Sequence, residues 1–457
     1  MLPGHNNEEA PNSWIVIKLM LISLPFQLLI VPGLPLNVPI SLVIIFCAVF
    51  VLLGKVKRTM WVGVEGSLVL FAGVALLSIV LALLTTPEQV FQVLPDSYGL
   101  RGSKFRGLYQ ICIMLAWYLT AWVVVNCCSS IPALHSVLRF WLLFVIALNG
   151  YGCYEVLADK FGLPMYYLST SYSVEIERPH VLGLQRAYSV FGEPTHYASF
   201  LVMNLALAWG LRMHLPEEAR IMGLPVKTVF VSSCAALYLT ASAAGFAVFG
   251  VIMCAMTLST LRNSPSQGGR TGVLLAACVG LATIVFVSGL GDVLFEQKFS
   301  KVEALADQDR EVIESDARTK GLMLGLEAFQ EHPVLGVGFG NEPFYTYMPE
   351  VSDLTFGSFS MAVSRLLEVG VVGTVCFAAL IWRMFFPRFR SRRNALGITA
   401  YLPLVSALRW GLAGSMAYRL WFGPTQLNAI DWLCAGLIAA ATRISQSHNA
   451  FGGSKDP

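Results

Sequence analysis

Charge is scarce in this sequence. Lys, Arg, Asp and Glu make up 13% of its 457 residues, and 56% are hydrophobic. A soluble domain carries about twice that charged fraction. Basic runs interleaved with aromatics are missing outside the apolar stretches, so nucleic acid is set aside as a partner. There is no Cys-x-x-Cys and no Cys/His cluster with zinc spacing, so the ten cysteines make no metal site. Cys47, Cys112, Cys254, Cys278, Cys376 and Cys434 fall inside apolar runs, and Cys127 and Cys128 adjoin a run's end. They read as small apolar residues. The N-terminus, MLPGHNNEEAPNS, has no basic region or small-residue cleavage site, so the first apolar run is expected to stay as a signal anchor. No internal repeat, low-complexity linker or separate soluble domain is visible.

What the chain has instead is long apolar runs. A membrane span needs about 20 apolar residues. Such runs lie near 14–31, 38–54, 66–84, 107–126, 135–156, 196–213, 226–241, 243–261, 271–290, 366–385, 396–414 and 426–443. The expected fold is therefore all-α: residues 1–457 form a single polytopic membrane domain of about twelve helices. Basic residues in short loops fix orientation. Lys55, Lys57 and Arg58 share one loop, and Arg212, Arg220 and Lys227 flank a second. Arg262 and Arg270 flank a third, and Arg383, Arg388, Arg390, Arg392 and Arg393 crowd a fourth. Twelve spans and a cytoplasmic N-terminus put all four inside. Loops 85–106, 157–195 and 291–365 then face outward, the last large enough to hold amphipathic helices.

Polar residues suited to chemistry gather in those outward loops. In LQRAYSVFGEPTHYASFL (184–201), Arg186, Glu193 and His196 stand just before an apolar run. Glu193-Pro194 reads as a helix start, since Pro suits the first turn and a carboxylate suits the helix dipole. His196 reads equally as an interfacial histidine. Arg186 is either a clamp for phosphate oxygens or a snorkelling side chain. In SDARTKGLMLGLEAFQEHPVLGVGFGN (315–341), Ser315 can cap a helix that His332-Pro333 ends. Leu322, Leu326 and Phe329 make its apolar stripe, with Arg318 on the same face. Gly336, Gly338 and Gly340 follow as a flexible turn. They are not a nucleotide loop, because they follow a helix and no Lys-Ser/Thr is present. Further on, Arg365 and Glu368 in SRLLEVGVVG either snorkel or line a cavity. Arg409 and Asp431 are expected to pair structurally.

Four of these segments, in this order, resemble the O-antigen ligase and polymerase superfamily. They are Arg186 with FGEP (191–194), LTAS (239–242), Arg318 with PVLGVG (333–338) and EVGVVG (368–373). Together they cover residues 186–373. Ligases carry a histidine about eleven residues before the glycine of the fourth motif, where this chain has Phe359. The arginine that often follows Leu-Thr-x-Ser is replaced by Ala243 and Ala244. The FGEP turn is more similar to exopolysaccharide and O-antigen polymerases.

The resemblance implies a bacterial inner-membrane glycosyltransferase with its active face outward and no cofactor or metal. Its substrate would be an oligosaccharide on undecaprenyl diphosphate, within membrane lipid, and a chain-length regulator is a possible partner. A sugar hydroxyl would attack the donor's anomeric carbon and expel the lipid diphosphate. Arg186 and Arg318 would hold the diphosphate, with Arg178 and Arg365 in reserve. Glu193 would be the base, with His196 and His180 as alternatives, and His332 would lie at the substrate. The alternatives are an O-antigen ligase and, from a different class, a glycolipid transporter. Transporters place ionisable residues near the bilayer midplane and often have repeated halves. Here the runs are mostly clean, Lys18 excepted.

Overall fold

The computed structural model describes residues 11–26, 39–54, 60–94, 102–164, 180–181, 184–215, 223–263, 317–347, 360–388, 402–422 and 426–452. These form thirteen α-helices in chain order. The first eight are α1 (Pro11–Ser23), α2 (Ile40–Leu53), α3 (Glu65–Thr85), α4 (Arg106–Cys127), α5 (Ile131–Phe161), α6 (Pro194–His214), α7 (Val226–Thr240) and α8 (Ala243–Asn263). The others are α9 (Ala317–Glu331), α10 (Glu342–Thr346), α11 (Met361–Phe385), α12 (Leu402–Phe422) and α13 (Ala429–Gly452). A short 3-10 turn (Glu88–Gln92) follows α3, and a two-residue hairpin pairs β1 (His180–Val181) with β2 (Leu184–Gln185).

Helices α3, α4, α5 and α11 are long and apolar enough to cross a bilayer. Helices α2 and α7 and the Ala243–Ser259 part of α8 are apolar but shorter. The chain is thus an all-α membrane protein. Eleven of the expected runs coincide with helices, while 271–290 lies outside the described residues. Two boundaries differ. Helix α1 ends at Ser23 rather than running to residue 31, because Pro25 lacks an N–H and restricts Leu24. Helix α12 runs on to Phe422, eight residues past its expected end at 414.

Local chemistry explains several helix ends. The Ser130 side chain accepts from the Ala133 amide to open α5, and Gly162, at φ 65°, closes it. Ser242 Oγ accepts from the Gly245 amide, so two residues suffice to separate α7 from α8. Most of the core is one continuous apolar cluster reaching from α1 to α13, with two small clusters beside it, around Phe91 and Phe344 and around Ala328 and Val337. At its centre lies α6, buried along nearly every face, as expected of a helix apolar all round. It packs most extensively on α12. A Cβ on Gly210 would lie 2.8 Å from the Ala407 backbone, and one on Gly414 3.1 Å from the Val202 carbonyl. This is the small-residue seam typical of close helix pairs in membranes.

Helix α9 turns a different face inward from the one the sequence suggests. Gly321, Gly325 and Ala328 are buried, while Leu326 and Met323 are exposed. Small residues let α9 lie close on α11 and rotate the larger apolar side chains outward. Ser315 lies outside the described residues, so its capping role goes undescribed.

Candidate active site at one end of the helix bundle

The four motifs fold into two clasped pairs. In the first, the segment after β2 lies against the turn after α7. The Ala187 amide donates to the Leu239 carbonyl at 2.9 Å, and Arg186 Nε donates to the Thr240 carbonyl at 2.8 Å. The Leu-Thr-x-Ser turn needs Ala241 at φ 46°, which leaves helix-end carbonyls to be satisfied from outside. Arg186 supplies that donor. His180 pairs in register with Gln185, so the hairpin brings its backbone beside the Arg186 segment. Glu193 is extended (φ −143°, ψ 149°) and gives way to Pro194 at the start of α6. Its carboxylate is exposed and accepts from Thr195 Oγ1 at 2.8 Å. His196 is half-buried one turn into α6.

In the second pair, PVLGVG lies against EVGVVG. The Val337 and Gly338 amides donate to the Leu367 and Glu368 carbonyls, at 2.9 and 3.0 Å. In return, the Val371 and Val372 amides donate to Pro333 and Val334, at 2.9 and 3.3 Å. These bonds exist because α11 is broken at Gly370 (φ 62°, ψ −167°), which frees carbonyls and amides inside a helix. Thr374 Oγ1 then donates to the Gly370 carbonyl and restarts the helix. Gly336, Gly338 and Gly340 all have positive φ, but the expected flexible turn is pinned at every glycine. A Cβ on Gly338 would meet Ala82 of α3 at 2.7 Å, and one on Gly340 would meet Gly107 of α4 at 2.9 Å. His332 is exposed where α9 ends. The Arg318 backbone is in the first turn of α9, and its side chain is outside the described residues, as are Arg178 and Phe359.

Arg365 and Glu368 do not snorkel. Both are buried, and Arg365 Nη1 lies 2.8 Å from Glu368 Oε2. The guanidinium sits 4.8 Å from the Phe339 ring centre and 5.6 Å from that of Phe377. Arg365 Nη2 donates to Ser364 Oγ, which donates to Glu342. Arg365 lines a cavity of about 10 Å³ with Gln110, Phe339, Phe377 and Gln426, room for roughly one water.

The end of α12 joins the two pairs. Tyr418 Oη lies 3.4 Å from Ser242 Oγ in the first, and the Leu420 carbonyl accepts from Ser360 Oγ, which caps α11, in the second. Between them, Arg419 Nε lies 3.1 Å from Asp431 Oδ2, and both are buried. The expected Arg409–Asp431 pair is therefore replaced by Arg419–Asp431. Arg409 is ten residues, about 15 Å, further along the axis. Its Nε donates to the Phe385 carbonyl, and its guanidinium stacks 4.3 Å from the Phe386 ring centre. All four motifs thus share one end of the bundle. The opposite end holds contacts such as Asn126 with Met60 and Arg388 with Gly63. Among the described residues, no group of three or more His, Cys, Asp or Glu side chains could hold a metal ion.

Glycine-pinned loops and buried arginines at one end of a helical bundle make this a membrane protein with a built polar site. Residues 228–378 match the family model of the O-antigen ligases, so this segment carries the domain of the O-antigen ligase and polymerase superfamily. The match runs from α7 through most of α11. It takes in LTAS, PVLGVG and EVGVVG and leaves Arg186 and FGEP outside, more than thirty residues before its start. No curated protein matches the chain.

Proposed function

We propose that this chain is a polysaccharide polymerase. It joins undecaprenyl-diphosphate-linked oligosaccharide repeat units in the bacterial inner membrane, at the outward end of its helices. The observation that carries this reading is the assembly of two motif pairs at one end of a membrane bundle, the second inside the family match. The acceptor's sugar hydroxyl attacks the donor's anomeric carbon. A new C–O bond forms, the bond to the lipid diphosphate breaks, and the electron pair leaves with the diphosphate. Charge develops on that leaving group, so fixed cations there stabilise the transition state. Arg186 and Arg318 take this role, with Arg178 and Arg365 behind them.

Glu193, exposed at the mouth of α6, takes the hydroxyl proton, with His196 and His180 as alternatives. His332 sits at the substrate's edge. The isoprenoid tail lies in membrane lipid, and a chain-length regulator is a further partner. A ligase reading, in which the glycan passes to a final acceptor, draws on the description of the matched family.

The test is polymer formation in a deletion strain complemented with Arg186→Ala, Arg318→Ala or Glu193→Gln. The expected result is lost polymer and accumulated single lipid-linked units at wild-type protein levels. A general base is worth about 10²–10⁴-fold in rate, so Glu193→Gln should fall in that range. Units joined but never delivered to a final acceptor would favour the ligase. Unchanged polymer in all three variants would defeat both readings.

A further inference from the structure

One buried carboxylate has no part in the chemistry proposed above. Glu155 lies in α5, six residues before its end, and is fully buried. An ionisable residue at such a position in a membrane helix is costly and persists only with dedicated partners. Two successive backbone amides are among its partners. The Tyr188 N–H donates to Glu155 Oε2 at 3.1 Å, and the Ser189 N–H donates to the same oxygen at 2.6 Å. For both amides to converge, the chain turns at Ser189, whose φ is 54°, a value rare for a residue with a side chain. Ser189 Oγ adds a third tie by donating to the Leu148 carbonyl at 3.0 Å.

The segment held in this way is the one that carries Arg186. Its other side is fixed to the end of α7 through Ala187 and Arg186 itself. Residues 186–189 are thus stretched between two helices: α7 takes the first two residues and α5 takes the last two. Four residues after Ser189, the chain reaches Glu193.

We infer that Glu155 is a positioning residue. Its buried carboxylate anchors the Tyr188 and Ser189 amides and so sets where Arg186 and Glu193 stand relative to each other. The inference rests on the proposed roles of those two residues. Bonds from amides to a charged oxygen are roughly twice as strong as those to a neutral one. Glu155→Gln keeps the shape and loses that advantage. Ser189→Ala leaves Glu155 in place and removes the hydroxyl's ties to the Leu148 carbonyl and the Tyr197 side chain, which weakens the same clamp more mildly.

Two measurements test it. Hydrogen exchange on the purified full chain in detergent micelles reads the clamp directly. The Tyr188 and Ser189 amides are expected to exchange about tenfold faster in Glu155→Gln, a weakening of about 1.4 kcal/mol, and less so in Ser189→Ala. Turnover in membrane vesicles, supplied with lipid-linked repeat units extracted from the deletion strain, reads the consequence. Misplacement by an ångström costs about 10²-fold, so kcat should fall by up to that factor while KM stays within about twofold. A merely structural role would lower the amount of folded protein and leave both constants of the remainder unchanged. Unchanged exchange, or faster exchange with wild-type kcat, overturns the positioning role. Wild-type turnover in Arg186→Ala sinks the site assignment itself, and the positioning role with it.

Discussion

Arg365 and Glu368 show how a charge can live inside an apolar bundle. Removing a carboxylate or guanidinium from water costs several kcal/mol, and only close pairing offsets it. Here the pair is 2.8 Å apart, flanked by two aromatic rings and tied through Ser364 to Glu342. Arg365→Met alone leaves Glu368 uncompensated and is expected to cost about 3–5 kcal/mol. The double variant Arg365→Met with Glu368→Met should recover much of that loss. Denaturant unfolding in micelles would check this, and equal losses in the single and double variants would contradict it. The sequence already offered cavity lining as one of two readings for these residues. What it hid was the choice, because snorkelling and burial look alike until the helix depth is known. Glu155 was not legible at all. The amides it anchors are more than thirty residues away, and a backbone amide has no sequence signature.

The decisive element is α11. As sequence it reads as an apolar run with two charges at its start. As structure it is two helical pieces meeting at Gly370, and the break supplies the hydrogen bonds that hold PVLGVG. Broken membrane helices are tolerated where neighbouring protein satisfies the freed backbone groups, and here PVLGVG does so. The residue at 370 must adopt φ 62°, and a Cβ there would run into Val334. Gly370→Ala should therefore destabilise by about 3 kcal/mol or more, combining backbone strain with the steric clash. A melting temperature within about 1 °C of wild type would show that the clasp is dispensable. The motifs were readable one by one. Their pairing was not, because it depends on this break. The reach of α12 was hidden as well: the helix continues past residue 414 to Phe422, and this makes Arg419 rather than Arg409 the partner of Asp431.

At the scale of the whole molecule, all four motifs lie at one end and Arg388 at the other. In a chain with its ten cysteines replaced, single cysteines at the exposed positions Glu193, His332 and Arg388 report the sidedness. A membrane-impermeant maleimide is expected to label Glu193→Cys and His332→Cys in intact cells, and Arg388→Cys only after permeabilisation. Labelling of His332→Cys and Arg388→Cys from the same side would refute the single-ended arrangement. The all-α class and most helix positions could be read from apolar runs alone, since the bilayer imposes their length. The order in which neighbours meet could not. Helix α6 lies against α12, yet roughly 190 residues of chain separate them. At about 5–20 residues per second, synthesis takes about ten to forty seconds to cross that gap. The division of labour among the neighbours of α6 suits this delay. Trp141 of α5, made before α6, donates to Asn204 at 3.0 Å and so covers a polar side chain of α6 from the start. What waits for α12 is mainly a seam of glycine, alanine and leucine that lipid can cover in the meantime, with a polar contact, His214 Nε2 with Ser406 Oγ at 3.3 Å, standing at the last residue of α6. The ribosome thus delivers first the partner α6 cannot do without, and last the one for which acyl chains can substitute.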